Sequence, residues 1–120
     1  MKVAVIGSRT LQICDLGDYL PKETTALISG GAVGVDACVR DFALEKGIEL
    51  TEFIPDYRRY GRAAPLKRND QIIEHADMVI AFWDGKSKGT AYVIEKCRQR
   101  GVPVEVHTIY PNNLDLLGIG

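Results

Sequence analysis

Apolar and polar positions follow two different periods along this chain. Short runs in which nearly every residue is apolar or β-branched are separated by longer stretches in which apolar residues recur at helical spacing. That alternation is the pattern of parallel βα units rather than of hairpins. It predicts five strands: Lys2–Ile6, Thr25–Ser29, Glu49–Ile54, Met78–Phe82 and Val102–His107. The first and second are short and nearly all apolar, as strands covered on both faces must be, and the second and fourth stand out most. Helices are expected over Asp15–Leu20, Gly34–Lys46, Pro65–His75 and Thr90–Arg100. Gly47 and Gly101 follow two of them, where a left-handed residue closes a helix at little cost, and Pro65 suits a first turn that needs no N–H. Pro111–Gly120 shows no strong period and reads as a cap or an oligomer contact.

These elements fill one domain: 120 residues hold a single core, and an apolar fraction of 46% is that of an ordinary globule. The expected fold is a Rossmann-like three-layer αβα domain with a mainly parallel five-stranded sheet. In such sheets ligands bind beyond the carboxyl ends of the strands, near the point where strand order reverses.

With 15 basic and 16 acidic side chains the molecule has no overall field for nucleic acid or anionic membranes, so any affinity for polyanions must be local. The apolar runs are too short to span a bilayer and no signal-peptide pattern opens the chain, which points to the cytoplasm and to no membrane partner. Cys14, Cys38 and Cys97 lack metal-ligand spacing, and His75 and His107 stand near none of them in sequence, so the cysteines are read as reduced and no metal is expected.

The chemistry concentrates in the strand-to-helix loops. After the first strand comes Gly7-Ser8-Arg9-Thr10, a tight turn with two hydroxyls and a guanidinium fork suited to phosphate. After the second comes Gly30-Gly31-Ala32-Val33-Gly34, leading to a helix with Asp36 in its first turn. Stripped of side chains, that loop lets an anion approach backbone N–H groups and the positive helix end, while Asp36 can accept from a ribose hydroxyl or a base, or simply stabilise the helix. The spacing G-G-x-x-G is neither the dinucleotide fingerprint nor a Walker loop. After the fourth strand, Asp84-Gly85-Lys86-Ser87-Lys88-Gly89-Thr90 opens another helix at the same sheet edge, with amides, a hydroxyl and lysines for phosphate. Tyr57–Asn69 crowds five basic residues among two tyrosines. Arg68 and Asn69 can reach the cleft from it, Arg58, Arg59 and Arg62 can form a rim, and the mixture also suits stacking with single-stranded nucleic acid.

Taken in order, GSR, ISGGAVGVDA, YGRAAPLKRN and ADMVIAFWDGKSKGT resemble the SLOG superfamily, in particular its small YpsA-related members. More distantly they are similar to the Rossmann domain of the DNA-processing protein Smf/DprA and to the lonely-guy phosphoribohydrolases. The likeness covers roughly residues 2 to 107. It implies a nucleotide or ADP-ribose-like ligand held by Gly7, Ser8, Arg9, Gly30, Gly31, Gly34, Asp36, Gly89 and Thr90, with the R-N pair on Arg68 and Asn69. It also implies self-association, for which Ile109, Leu114, Leu116 and Leu117 offer apolar surface. The phosphoribohydrolases carry P-G-G-x-G-T-x-x-E, but the third position after Thr90 is Val93, and Glu95 lies about 200° around the helix from it. A sensor or binding module is therefore the leading expectation. Glycosidic hydrolysis using Asp36 or Asp84, and nucleic-acid binding, stand as alternatives, and catalysis is left open.

Overall fold

The computed structural model describes residues 1–110. Five strands form one parallel sheet in the order β3-β2-β1-β4-β5: β1 (Lys2–Gly7), β2 (Ala26–Ser29), β3 (Glu49–Glu52), β4 (Met78–Trp83) and β5 (Val104–Thr108). Helices α1 (Val35–Lys46), α2 (Tyr57–Tyr60), α3 (Ala64–His75) and α4 (Lys88–Arg100) complete it.

Two cores follow from the two-residue period of the strands. Val3 and Val5 of β1, with Leu27, Ile80 and Phe82, face α1 through Val35, Val39 and Ala43. Ala4 and Ile6, with Ile28, Val79 and Ala81, face the opposite side, where α3 supplies Ile72 and Ile73 and α4 supplies Val93, Ile94 and Cys97. The result is the expected three-layer Rossmann-like arrangement. From β1 the chain moves to β2 and β3 along one face, then crosses the other face to β4 and β5. Strand order therefore reverses between β1 and β4, which opens a crevice at their carboxyl ends.

Three local expectations are corrected. Asp15–Leu20 is not an α-helix; only a 3-10 turn forms, at Leu16–Asp18. Six residues with Gly17 at their centre and Pro21 behind them cannot repay the nucleation of a helix, and Leu11 and Leu16 reach the core from an irregular crossover instead. The basic segment expected as a rim loop contains a helical turn, α2, capped by Asp56, whose carboxylate accepts the Arg59 N–H at 3.2 Å. Strand β5 begins at Val104 because Pro103 has no N–H to give, though its carbonyl still accepts from Val79 N at 2.9 Å.

Ile109, expected at an oligomer surface, packs partly buried against the first core, and its N–H donates to the Trp83 carbonyl at 2.7 Å. Leu114, Leu116 and Leu117 lie outside the described residues. Among those described, no helix is long and apolar enough to cross a membrane.

Candidate functional site

A cleft of about 450 Å³ lies at the reversal point. This size suits a small organic ligand. Three loops and three helices wall it. The β1 loop gives Gly7, Arg9 and Thr10; the β2 loop gives Gly30 and Ala32; α1 gives Asp36. The β4 loop and the start of α4 give Asp84, Lys86, Ser87, Gly89 and Thr90, and α3 gives Arg68 and Asn69. The floor is apolar, made by Ile6, Pro65, Ile72 and Val93.

Eleven of the candidate residues are thus brought together: Gly7, Arg9, Gly30, Ala32, Asp36, Arg68, Asn69, Asp84, Ser87, Gly89 and Thr90. Ser8, Gly31, Gly34 and Gly85 are near but do not line the cleft, and each has a visible structural occupation. Ser8 is buried; its N–H donates to the Phe82 carbonyl at 3.0 Å and its hydroxyl accepts the Asp84 N–H at 3.1 Å, which ties the β1 loop to the β4 loop. Gly34, with φ 73°, lets the start of α1 pass against the backbone of Arg9, where a Cβ would stand 2.5 Å from the Arg9 oxygen. Gly31, also at positive φ, leaves room for Ile54, and Gly85 turns the β4 loop beneath Tyr110. Gly7 lines the cleft but also admits Val35, whose methyl would meet a Gly7 Cβ at 2.5 Å.

The glycine loop after β2 is partly occupied by the protein's own side chains. The Arg68 guanidinium lies where a Cβ of Gly30 would be and donates to the Gly30 carbonyl at 2.7 Å. Its Nε donates to Asn69 Oδ1 at 2.8 Å. Asp36 Oδ2 takes the Ala32 N–H at 3.1 Å, so that amide is not bare. Asp36 is only 7% exposed, and burial raises its carboxyl above the usual range against the pull of the Ala32 N–H and of Arg68. Burial likewise lowers Arg68, with Asp36 opposing it. The buried Ser29 hydroxyl beside them makes no hydrogen bond of good geometry among the described residues.

Free donors collect at the other wall. In α4 the first intrahelical bond runs from Ala91 N to the Ser87 carbonyl at 3.2 Å, and the Ser87 side chain does not cap the helix. The N–H groups of Lys88, Gly89 and Thr90 therefore have no partner within the helix. Across from them stands Asn69, 8% exposed. Because its oxygen must face the Arg68 N–H, its amide nitrogen is turned away, and it makes no hydrogen bond among the described residues. Arg9, Lys86 and Arg68 bring three cations to the cleft against the two carboxylates Asp36 and Asp84.

Asp84 builds the loop rather than offering itself. Its Oδ1 accepts the N–H groups of Lys86 at 2.9 Å and Ser87 at 2.7 Å, and Oδ2 accepts the Thr10 hydroxyl at 3.1 Å. Those amide bonds, foremost that of Lys86, hold the carboxyl below its ordinary range. Its charged form thus contributes stability that is present above the unfolded value of about 3.9 and is lost as pH falls through the depressed native value. Asp84→Asn should accordingly lose less of its melting temperature than the wild type between about pH 6 and about pH 3, as paired thermal melts will show.

The floor residues were not among the expected site residues. Their signal was spacing: Pro65, Arg68, Asn69 and Ile72 fall at i, i+3, i+4 and i+7 on one helical stripe, and Thr90 and Val93 repeat it on α4. The same stripe serves a core equally well, so polar members in the middle of it are the distinguishing sign. Among the described residues no group of three or more His, Cys, Asp or Glu side chains is placed to hold a metal ion. No family model, no curated protein and no solved structure matches this chain.

Proposed function

We propose that this domain binds a nucleotide or a nucleotide-derived phosphate ligand in the cleft between β1 and β4, as a sensor or binding module. The observation that carries the reading is the set of unclaimed donors at one point. The open N-terminus of α4 and the Asn69 side chain, whose amide nitrogen makes no hydrogen bond among the described residues, line the same cleft, with Arg9 and Lys86 beside them. Helix N-termini of this kind draw anions through their N–H groups and dipole, and an ionised acceptor can take the Asn69 side-chain N–H at the same time. The apolar floor of Ile72 and Val93 suits a sugar or ring edge above it. The likeness to SLOG domains in the GSR, GGAVGVD and KGT segments supports the same assignment.

Binding accounts for the site better than glycosidic hydrolysis. Val93 is a floor residue, Glu95 is exposed on another face, and the lining carboxylates Asp36 and Asp84 are engaged by the chain's own N–H groups. Nucleic-acid stacking on the basic segment finds one of its tyrosines covered: Arg59 and Lys67 lie 5.3 and 5.9 Å from the Tyr60 ring centre.

Titration calorimetry against ADP-ribose, AMP, NAD and cyclic nucleotides tests the proposal. Trp83 supplies a second readout, since it is the one tryptophan of the chain and its indole N–H donates to the Ser87 carbonyl at 3.0 Å, beside the α4 start. Heat and a change in tryptophan emission with at least one of these ligands are expected. Silence in both signals across the whole panel would overturn the reading.

A further inference from the structure

The cleft's other wall holds an unfinished pair of charges. Asp36 and Arg68 both line the cleft, and both lie against Gly30. The position of a Gly30 Cβ stands 2.5 Å from Arg68 Nη1 and 3.0 Å from Asp36 Oδ2. The two groups are therefore neighbours, yet they form no salt bridge. Separate partners hold them apart. Arg68 donates to the Gly30 carbonyl at 2.7 Å and to Asn69 Oδ1 at 2.8 Å, while Asp36 Oδ2 accepts the Ala32 N–H at 3.1 Å.

Each group keeps capacity after those bonds are counted. Among the described residues Arg68 Nη2 donates to nothing and Asp36 Oδ1 accepts from nothing. The Ser29 hydroxyl beside Asp36 is fully buried and makes no hydrogen bond of good geometry, so it does not supply the missing donor. Burial disfavours the charge on both, raising Asp36 and lowering Arg68, which makes an unbridged pair costly.

The chemistry of the gap selects what fills it. An amine can only donate, which suits Asp36 and leaves Arg68 unanswered. A phosphate or carbonyl oxygen can only accept, which suits Arg68 and is opposed by Asp36. A hydroxyl does both at one oxygen, through an O–H···O bond of about 2.7 Å and an N–H···O bond of about 2.9 Å. One wall of the cleft thus calls for an anion, at the start of α4, and the other for a neutral hydroxyl.

We propose that Asp36 and Arg68 together receive a hydroxyl of the bound ligand, so that the cleft takes a nucleotide with an intact ribose diol rather than a dideoxynucleotide or an inorganic phosphate. This deepens the nucleotide reading above and rests on it. Asp36 is then a specificity-determining residue: it selects among phosphate-bearing ligands that the α4 end alone would accept.

Calorimetry with AMP and 2′,3′-dideoxy-AMP on the wild type and on Asp36→Asn tests the proposal. Asparagine keeps an oxygen for the Ala32 N–H but sets an N–H where the carboxylate would accept. The wild type should bind AMP about 10-fold more tightly than the dideoxy form. Asp36→Asn should lose that preference while binding the dideoxy form as well as the wild type does. A purely structural role for Asp36 would weaken both forms alike and leave their ratio in place, and the wild-type ratio does not depend on how the variant folds. Equal affinities in the wild type, or a ratio that survives in Asp36→Asn, would refute the hydroxyl contact while the phosphate site stands. Binding of neither form would refute it too, and the cleft reading falls with it if ADP-ribose, NAD and cyclic nucleotides are also silent.

Discussion

Gly34→Ala should lower the melting temperature by about 10 °C, the largest stability loss expected from any single methyl added to the site loops. Gly34 caps α1 with φ 73° and ψ −125°, a conformation that side chains rarely adopt. Strain of that kind costs about 1 to 3 kcal/mol. A Cβ there would also stand 2.5 Å from the Arg9 carbonyl oxygen and 2.8 Å from the Arg9 Cα. Those atoms are backbone, so relief requires the β1 loop and the start of α1 to separate, and Ser8 and Val35 are buried behind them. Gly47→Ala is the matched control. Its φ is 66°, but a Cβ would meet nothing within 4 Å, so only the conformational cost of about 1 kcal/mol remains. Thermal melts of the two variants separate the steric part from the dihedral part. Equal losses would show that the loop contact is not rigid.

Gly89→Asp should do the reverse, leaving the melting temperature unchanged or slightly raised while reducing ligand affinity about 100-fold or more. A Cβ on Gly89 meets nothing within 4 Å, and its φ is ordinary for a helix. Replacing glycine in a helix and placing a carboxylate in its first turn both favour α4, by about 0.5 to 1 kcal/mol together. The same carboxylate would face the cleft, since Gly89 lines it. A phosphate about 4 Å away would then meet a repulsion of about 4 kcal/mol at an effective dielectric of about 20, more than a 100-fold loss requires. Opposite signs in melting and binding are hard to obtain from general damage. Calorimetry with whichever nucleotide the wild type binds checks the affinity, and a differential melt checks the fold.

Much of the architecture was legible because buried parallel strands have few ways to be written. Ala26–Ser29 and Met78–Trp83 are nearly continuous apolar runs, and nothing else of that length fits between helical stripes. The crossover after β1 was not legible as irregular chain, since Leu16, Tyr19 and Leu20 show helical spacing without the length to sustain a helix. At the site, the glycine loops marked the correct sheet edge, but which glycine faces a ligand depends on partners far away in sequence. Gly7 meets Val35, Gly34 meets Arg9 and Gly30 meets Arg68, contacts that no local pattern encodes. The same holds for Asp36 and Asp84. As letters they are free carboxylates at a cleft, whereas in the fold one takes the Ala32 N–H and the other shapes its own loop. The open donors lie instead at α4, where Ser87 occupies the cap position without capping. Cap geometry depends on backbone and rotamer, which residue type alone does not set.

Amide chemical-shift mapping during titration with ADP-ribose or AMP tests the central claim most directly, because it reports each N–H separately. The account expects the largest shifts at Lys88, Gly89 and Thr90 and at the side-chain amide of Asn69, with smaller ones in the Arg9 and Gly30 loops. Shifts confined to the basic Tyr57–Arg62 segment, or none at saturating nucleotide, would contradict it.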